Sequence, residues 1–169
     1  MTNASSTPIL GRVASLHLHP PESAEPLHTV DRVEVIENKG ILGEPRYFGR
    51  LGPTDGQPSR RQVSLIEREQ LAEHAAALGL EKISPGAARS NIETDGVNWQ
   101  GLLGQRVQIG DAVLLVDQPR KPCHKMDALC QGLRALMENN RQGVLAVVVR
   151  SGVISVGDTI RLVNAPELA

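Results

Sequence analysis

Short runs of alternating apolar and polar residues, divided by Gly, Pro and Asp, fill most of this chain, and that rhythm restricts its fold more than any other feature. Successive side chains of a strand point to opposite faces, so a period of two reads as a half-buried strand. Residues 12–19 set Ala14, Leu16 and Leu18 against Ser15, His17 and His19, and end at Pro20-Pro21. A solvated face is the simplest account of the two histidines. Further strands are expected over 30–36, 61–66, 89–94, 106–109, 112–117, 144–150, 153–154 and 159–163. Tight turns are expected at Asp95-Gly96, Gly110-Asp111, Ser151-Gly152 and Gly157-Asp158. Helical spacing of Leu71, Ala75 and Leu78, closed by Gly79, predicts a helix over 67–78. A second helix is expected over 126–139, with Leu129, Leu133, Leu136 and Met137 on one face. Many strands with few helices predict a mainly β fold: a closed or nearly closed β-barrel with a few peripheral helices, because closure removes exposed strand edges.

At 169 residues the chain is long enough for one substantial core. The expected division is a flexible segment over 1–11, a single barrel domain over 12–163 and a tail over 164–169. Hydrophobic residues make up 40% and charged residues 22%, a globular composition rather than a disordered one. Net charge is −1 with Lys and Arg scattered, so no basic nucleic-acid face is expected. Tyr47, Phe48 and Trp99 are too few for a base-stacking platform. No apolar run approaches the roughly 20 residues that span a bilayer. The opening residues lack the basic and apolar regions of a secretory signal, so a cytoplasmic location with reduced cysteines is expected, and the sequon Asn3-Ala4-Ser5 carries no meaning.

The chemistry concentrates in Pro119-Arg120-Lys121-Pro122-Cys123-His124-Lys125. Four groups that are or can be cationic lie within three residues of one thiol, and positive surroundings favour the thiolate, the form that attacks electrophiles and binds metals. Two prolines exclude helix interior and central strand, so an exposed, stiff loop is expected. A lone cysteine is ordinarily a small buried residue; these polar surroundings argue otherwise for Cys123. Cys130, between Leu129 and Leu133, reads as a buried structural residue. His124 points away from Cys123 in extended chain and reads as tuning the local field. The other histidines show no zinc-ligand spacing with the cysteines. The glycine- and arginine-rich stretch from 38 to 60 is too long for an idle connector and is a candidate functional segment.

The order of motifs resembles the MOSC domain, the module named after the C-terminal part of molybdenum-cofactor sulfurases, in its short stand-alone bacterial form. Gly40-Ile41-Leu42-Gly43 is similar to the early glycine motif. Arg61-Gln62-Val63-Ser64-Leu65-Ile66 is similar to the central strand, and Pro85-Gly86-Ala87-Ala88-Arg89-Ser90-Asn91-Ile92 to the Gly-x-x-Arg-x-Asn-Ile segment. Pro119 to Cys123 is similar to the cysteine signature, and Val156-Gly157-Asp158 to the closing turn. Where the family often has Asp followed by His after the early glycines, this chain has Glu44-Pro45-Arg46-Tyr47; Glu44 stands for the acid, and the histidine has no clear counterpart.

The resemblance implies a barrel built for the molybdenum cofactor or for sulfur transfer. Cys123 would then be the catalytic residue and metal ligand. Arg61, Arg89, Asn91 and Arg120 would hold the anionic end of the cofactor, guanidinium being suited to phosphate oxygens; the plainer account of each arginine is a solvated or ion-paired surface charge. The implied activity is reduction of N-hydroxylated small molecules with a separate electron donor. The alternative is a sulfur or cofactor carrier using a Cys123 persulfide, supplied by a cysteine-desulfurase-type donor, with pyridoxal phosphate confined to that partner. A third possibility is a barrel without chemistry that serves as an interaction module. Oligomeric state is not legible.

Overall fold

In the computed structural model, residues 7–22 and 25–163 are described; the Asn3 sequon, the start of the expected N-terminal segment and the 164–169 tail lie outside them. Eleven strands and three helices appear among the described residues: β1 Ile9–Leu18, β2 His28–Val30, β3 Arg32–Ile36, β4 Gly40–Ile41, β5 Val63–Glu67, α1 Arg68–Ala77, β6 Ile92–Asp95, β7 Arg106–Ile109, β8 Ala112–Pro119, α2 Lys125–Leu129, α3 Leu133–Met137, β9 Val144–Arg150, β10 Gly152–Ser155 and β11 Thr159–Val163.

Alternation along these strands places one face inward, and the strands run β11-β7-β8-β9-β5-β6-β1. Antiparallel pairing of β1 with β11, Ile9 opposite Arg161, closes the sheet into a seven-stranded barrel. Closure satisfies the edges, and the mainly β barrel expected from the alternation is the fold observed. β5 and β6 are parallel, Leu65 opposite Ile92. A parallel pair needs a crossover, and α1 lies in it. β2 extends the sheet beside the end of β1, and β10-β3-β4 form a small second sheet.

Leu16, Leu65, Ile92, Val107, Leu114 and Ile160 are all 0% exposed inside the barrel. At roughly 1.5–3 kcal/mol for each large apolar side chain taken from water, this interior is the main source of stability. A second cluster of Ile66, Leu71, Ala88, Met126, Leu133 and Met137 packs the helices outside the barrel. Trp99 is fully buried, its indole N–H donating to Thr94 Oγ1 at 2.9 Å.

Five local expectations are corrected. His17 and His19 are buried, not solvated, because the end of β1 is covered by the 44–47 and 86–91 segments. The expected 126–139 helix is two short ones. Cys130 is extended at φ −159° and Gly132 is left-handed at φ 94°, so α2 stops and α3 restarts even though the leucine spacing continues through the break. The 30–36 strand is interrupted at Asp31. β6 begins at Ile92 rather than residue 89, because Arg89 adopts a left-handed φ of 65° that no strand admits. The first strand also starts at Ile9, inside the segment expected to be flexible.

Candidate functional site

β8 ends at Pro119, whose ring supplies no donor to continue the ladder. The chain leaves the barrel there, anchored by the Arg120 N–H donating to the Gly143 carbonyl at 3.0 Å. Five residues later α2 begins, its entrance tied by the Met126 N–H to the Cys123 carbonyl at 3.0 Å. Between these anchors Cys123 is exposed and free. Cys130 is also free, half-buried, and packed against the second apolar cluster.

Around Cys123 the fold gathers cations from distant segments. Arg120 is half-buried, and its Nη1 donates to Ser90 Oγ at 3.0 Å and to the Ala88 carbonyl at 3.4 Å. Burial lowers its pKa; Arg61 and Arg89 press the same way, while Tyr47 and Cys123 oppose. Arg89 donates from Nη1 to the Glu25 carbonyl at 3.1 Å, and its Nη2 is buried without a partner. Burial, then the Arg46 charge, lowers the Arg89 pKa against the pull of Cys123, Tyr47 and Glu44. For Lys125, burial and then Arg46 and Arg89 lower the pKa, with Cys123 opposing. Arg61 lies over the Tyr47 ring, 5.7 Å from its centroid, a distance at which a cation is attracted to the ring face.

A buried carboxylate sits behind this ring of cations. Glu44 is 0% exposed. Its Oε2 accepts from the His19 N–H at 3.1 Å, His19 Nδ1 at 2.8 Å and Asn91 Nδ2 at 2.9 Å, and its Oε1 from the Arg46 N–H at 3.0 Å. Burial alone would raise the carboxyl pKa, but the bonds and charge of His19 and the Arg46 N–H outweigh it and hold Glu44 below the usual carboxylate range. An ionised carboxylate only accepts, so His19 Nδ1 carries the proton. The His19 ring meets Tyr47 edge-on, centroids 5.6 Å apart.

The structure therefore brings together Cys123, Arg89 and Arg120, and joins Arg61 to them through Tyr47. Asn91 is adjacent but turned inward: its Oδ1 accepts from the Ser64 N–H and hydroxyl, and its Nδ2 donates to the His17 carbonyl and Glu44. It orients Glu44. Sequence reading placed Lys125 beside the thiol but missed Arg46 and Tyr47 as members of the site, although they follow the early glycines. The histidine that does meet Glu44 is His19, one residue past the end of β1.

Chemically, the arrangement is an accessible thiol in a cationic ring: a site for an anion, beside a soft ligand for metal or sulfur. Among the described residues no three His, Cys, Asp or Glu side chains cluster to cage a metal ion. A metal bound at Cys123 would have to bring its other ligands with it. No helix among the described residues is long and apolar enough to cross a membrane.

Solved structures share this fold. The YuaD protein of Bacillus subtilis superposes with a TM-score of 0.74 at 20% identity, covering 90% of this chain and 94% of that one. YiiM of Geobacillus stearothermophilus gives 0.68 at 21% identity, over 91% and 75% of the two chains. YiiM of Escherichia coli gives 0.64 at 21%, over 90% and 70%. A Gibberella moniliformis protein named Reductase is 35% identical over 86 residues, which are 48% of this chain and span only 15% of that protein's length. The family model described as MOSC domain matches residues 24–161, a range that takes in Glu44, the arginines and Cys123 alike, and the chain belongs to the MOSC domain family.

Proposed function

We propose that this chain binds a molybdenum cofactor and reduces N-hydroxylated small molecules, with Cys123 as the thiolate ligand of the metal. The observation that carries the reading is an exposed free thiol in the field of Arg89, Arg120 and Lys125, with Arg46 and Arg61 next to those cations. The family is associated with this cofactor, and the residues fit it. Thiolate is a soft ligand. The cations suit the phosphate of a pterin, and Arg120 spends only Nη1 on Ser90 and Ala88. A cofactor that carries its own metal ligands needs no protein cage. The reductase name of the matched relative points the same way.

When bound, the cofactor supplies the two-electron redox chemistry, and the chain supplies binding, orientation and electrostatics. Arg120, held by Ser90 and Ala88, has one end of its guanidinium fixed and presents the rest to an anion. Glu44 holds the Arg46 backbone, and with it the loop that carries Tyr47. The overall conversion takes R–NHOH, two electrons and two protons to R–NH2 and water. The electrons come from a separate donor protein.

The test is elemental analysis of protein from a cofactor-competent host, wild type beside Cys123→Ser and Cys130→Ser. Molybdenum near one atom per chain in wild type and Cys130→Ser, lost in Cys123→Ser, supports the reading. No molybdenum in any of them overturns it. A persulfide mass increment on Cys123 would then assign the chain as a sulfur carrier.

A further inference from the structure

Next to the cysteine site, and sharing Arg89 and Lys125 with it, is a cavity of about 420 Å³ to which the proposed function assigns no substrate. That volume is at the small end of small-molecule sites, roughly 300–1,000 Å³. Three separate segments wall it. Pro26 and Leu27 form one side and Pro85 to Ala87 another. The third side is α2, where Lys125, Ala128 and Leu129 share a helical face by their i, i+3, i+4 spacing. Leu129 is 44% exposed, a large apolar side chain left in solvent at the cavity wall.

Among the described residues the charged side chains of the lining are Arg89 and Lys125, with no carboxylate beside them. Both also belong to the cationic ring of Cys123, so the cavity and the thiol are neighbours. Arg89 is held at a positive φ of 65°, a conformation that costs a side-chain-bearing residue energy. In that conformation Nη1 is tied to Glu25, and Nη2 is buried with no partner among the described residues. A buried unpaired donor on a cation is expensive unless an acceptor arrives. None of Tyr47, Phe48 and Trp99 lines the cavity, so its apolar wall is aliphatic.

We propose that this cavity is the substrate seat of the cysteine site and selects small molecules with a carboxylate on a compact aliphatic body. Arg89 and Lys125 receive the carboxylate, and Leu27, Ala128 and Leu129 hold the body. As a substrate class, N-hydroxylated aliphatic acids, this rests on the reductase reading; as a binding site it does not.

Hexanoate and its neutral isostere hexanamide are titrated calorimetrically into the full chain, purified with and without cofactor. Hexanoate is expected to bind at least about tenfold tighter than hexanamide, the usual gain from a charge-assisted bond. Arg89→Gln and Lys125→Gln should each erase most of that difference. Leu129→Trp, at an exposed position where folding is safe, should block both probes. In active enzyme, Leu129→Trp should raise KM for ω-(hydroxyamino)hexanoate and for its amide alike. Equal affinity for the two probes, no saturable binding, or hexanoate binding unchanged in Leu129→Trp overturns the proposal. So does loss of hexanoate binding on cofactor loading, which would give the cavity to the cofactor. Arg89-dependent hexanoate binding to a protein that never acquires molybdenum overturns the reductase reading alone and leaves the seat assigned.

Discussion

Asn91 and Glu44, separated by 47 positions in sequence, are joined by a buried hydrogen bond of 2.9 Å, the amide Nδ2 donating to carboxylate Oε2. Through it the start of β6 fixes the carboxylate that in turn fixes His19 and Arg46.

Glu44→Gln tests that junction. The new amide would set its NH2 or its lone acceptor against donors from His19, Asn91 and Arg46, so at least one buried donor loses its partner. A loss of about 3 kcal/mol is expected in urea denaturation at pH 7. The sign with pH follows from the lowered pKa. The native carboxylate stays ionised below the unfolded value of 4.5, so its stabilisation is complete above that value and lost as pH falls through the native pKa. The variant should lack this acid limb.

Gly143→Ala should be among the most damaging single-atom changes. Gly143 has φ 70°, and a Cβ there would collide with the Leu65 carbonyl oxygen and come within 2.9 Å of Ile66 Cα. Its own carbonyl accepts from the Arg120 N–H and from Gln100 Nε2. Displacing it moves the root of the cysteine loop. The expected cost is about 3 kcal/mol or more in thermal or urea unfolding, together with reduced bound molybdenum.

Glu67→Gln should stabilise. Glu67 is buried and its Oε1 has no partner. Burial, followed by the charges of Glu69 and Glu73, raises its pKa over the opposing backbone bonds. The native state therefore keeps a proton that the unfolded chain has released, and stability falls as pH rises from 4.5 through the native pKa. A neutral amide removes the penalty, worth about 1 kcal/mol at pH 7. Denaturation midpoints across pH 4–8 check both the gain and the flattened slope.

His74 should give a slope of the opposite sign. Burial, aided by the Arg141 charge, lowers its pKa below 6.5, against its bond to the Arg141 carbonyl and the Glu73 charge. The unfolded chain takes up a proton first, so stability is full above 6.5 and declines as pH falls below it. His74→Gln should weaken that decline in melting curves between pH 5 and 7.

The strands of the barrel were legible because alternation is a local signal; 106–109, 144–150 and 159–163 match their strands end to end. The helix break at Cys130 was not, since leucines at 129, 133 and 136 keep helical phase across it and the left-handed Gly132 leaves no mark on hydrophobic periodicity. Cys123 stood out by its immediate neighbours in sequence, and the exposure they imply is observed. The Glu44–His19 pair was invisible for the opposite reason: the partners are 25 positions apart and meet only after the barrel closes. His19 alternates with apolar residues just as a solvated residue would. Arg46 likewise takes its meaning from Arg89 and Lys125, which no local pattern brings near it.

The pairing of Ile9 with Arg161 makes the first and last strands neighbours. A barrel built this way leaves and re-enters a longer polypeptide at a single point, so it can be inserted into a host chain like a bead on a loop, without stretching either flank. The same geometry permits circular permutation. A short tether joining the old ends, with new ones opened at the exposed turn around Thr54 and Asp55, would leave every contact of Cys123, Arg120 and Glu44 described above in place.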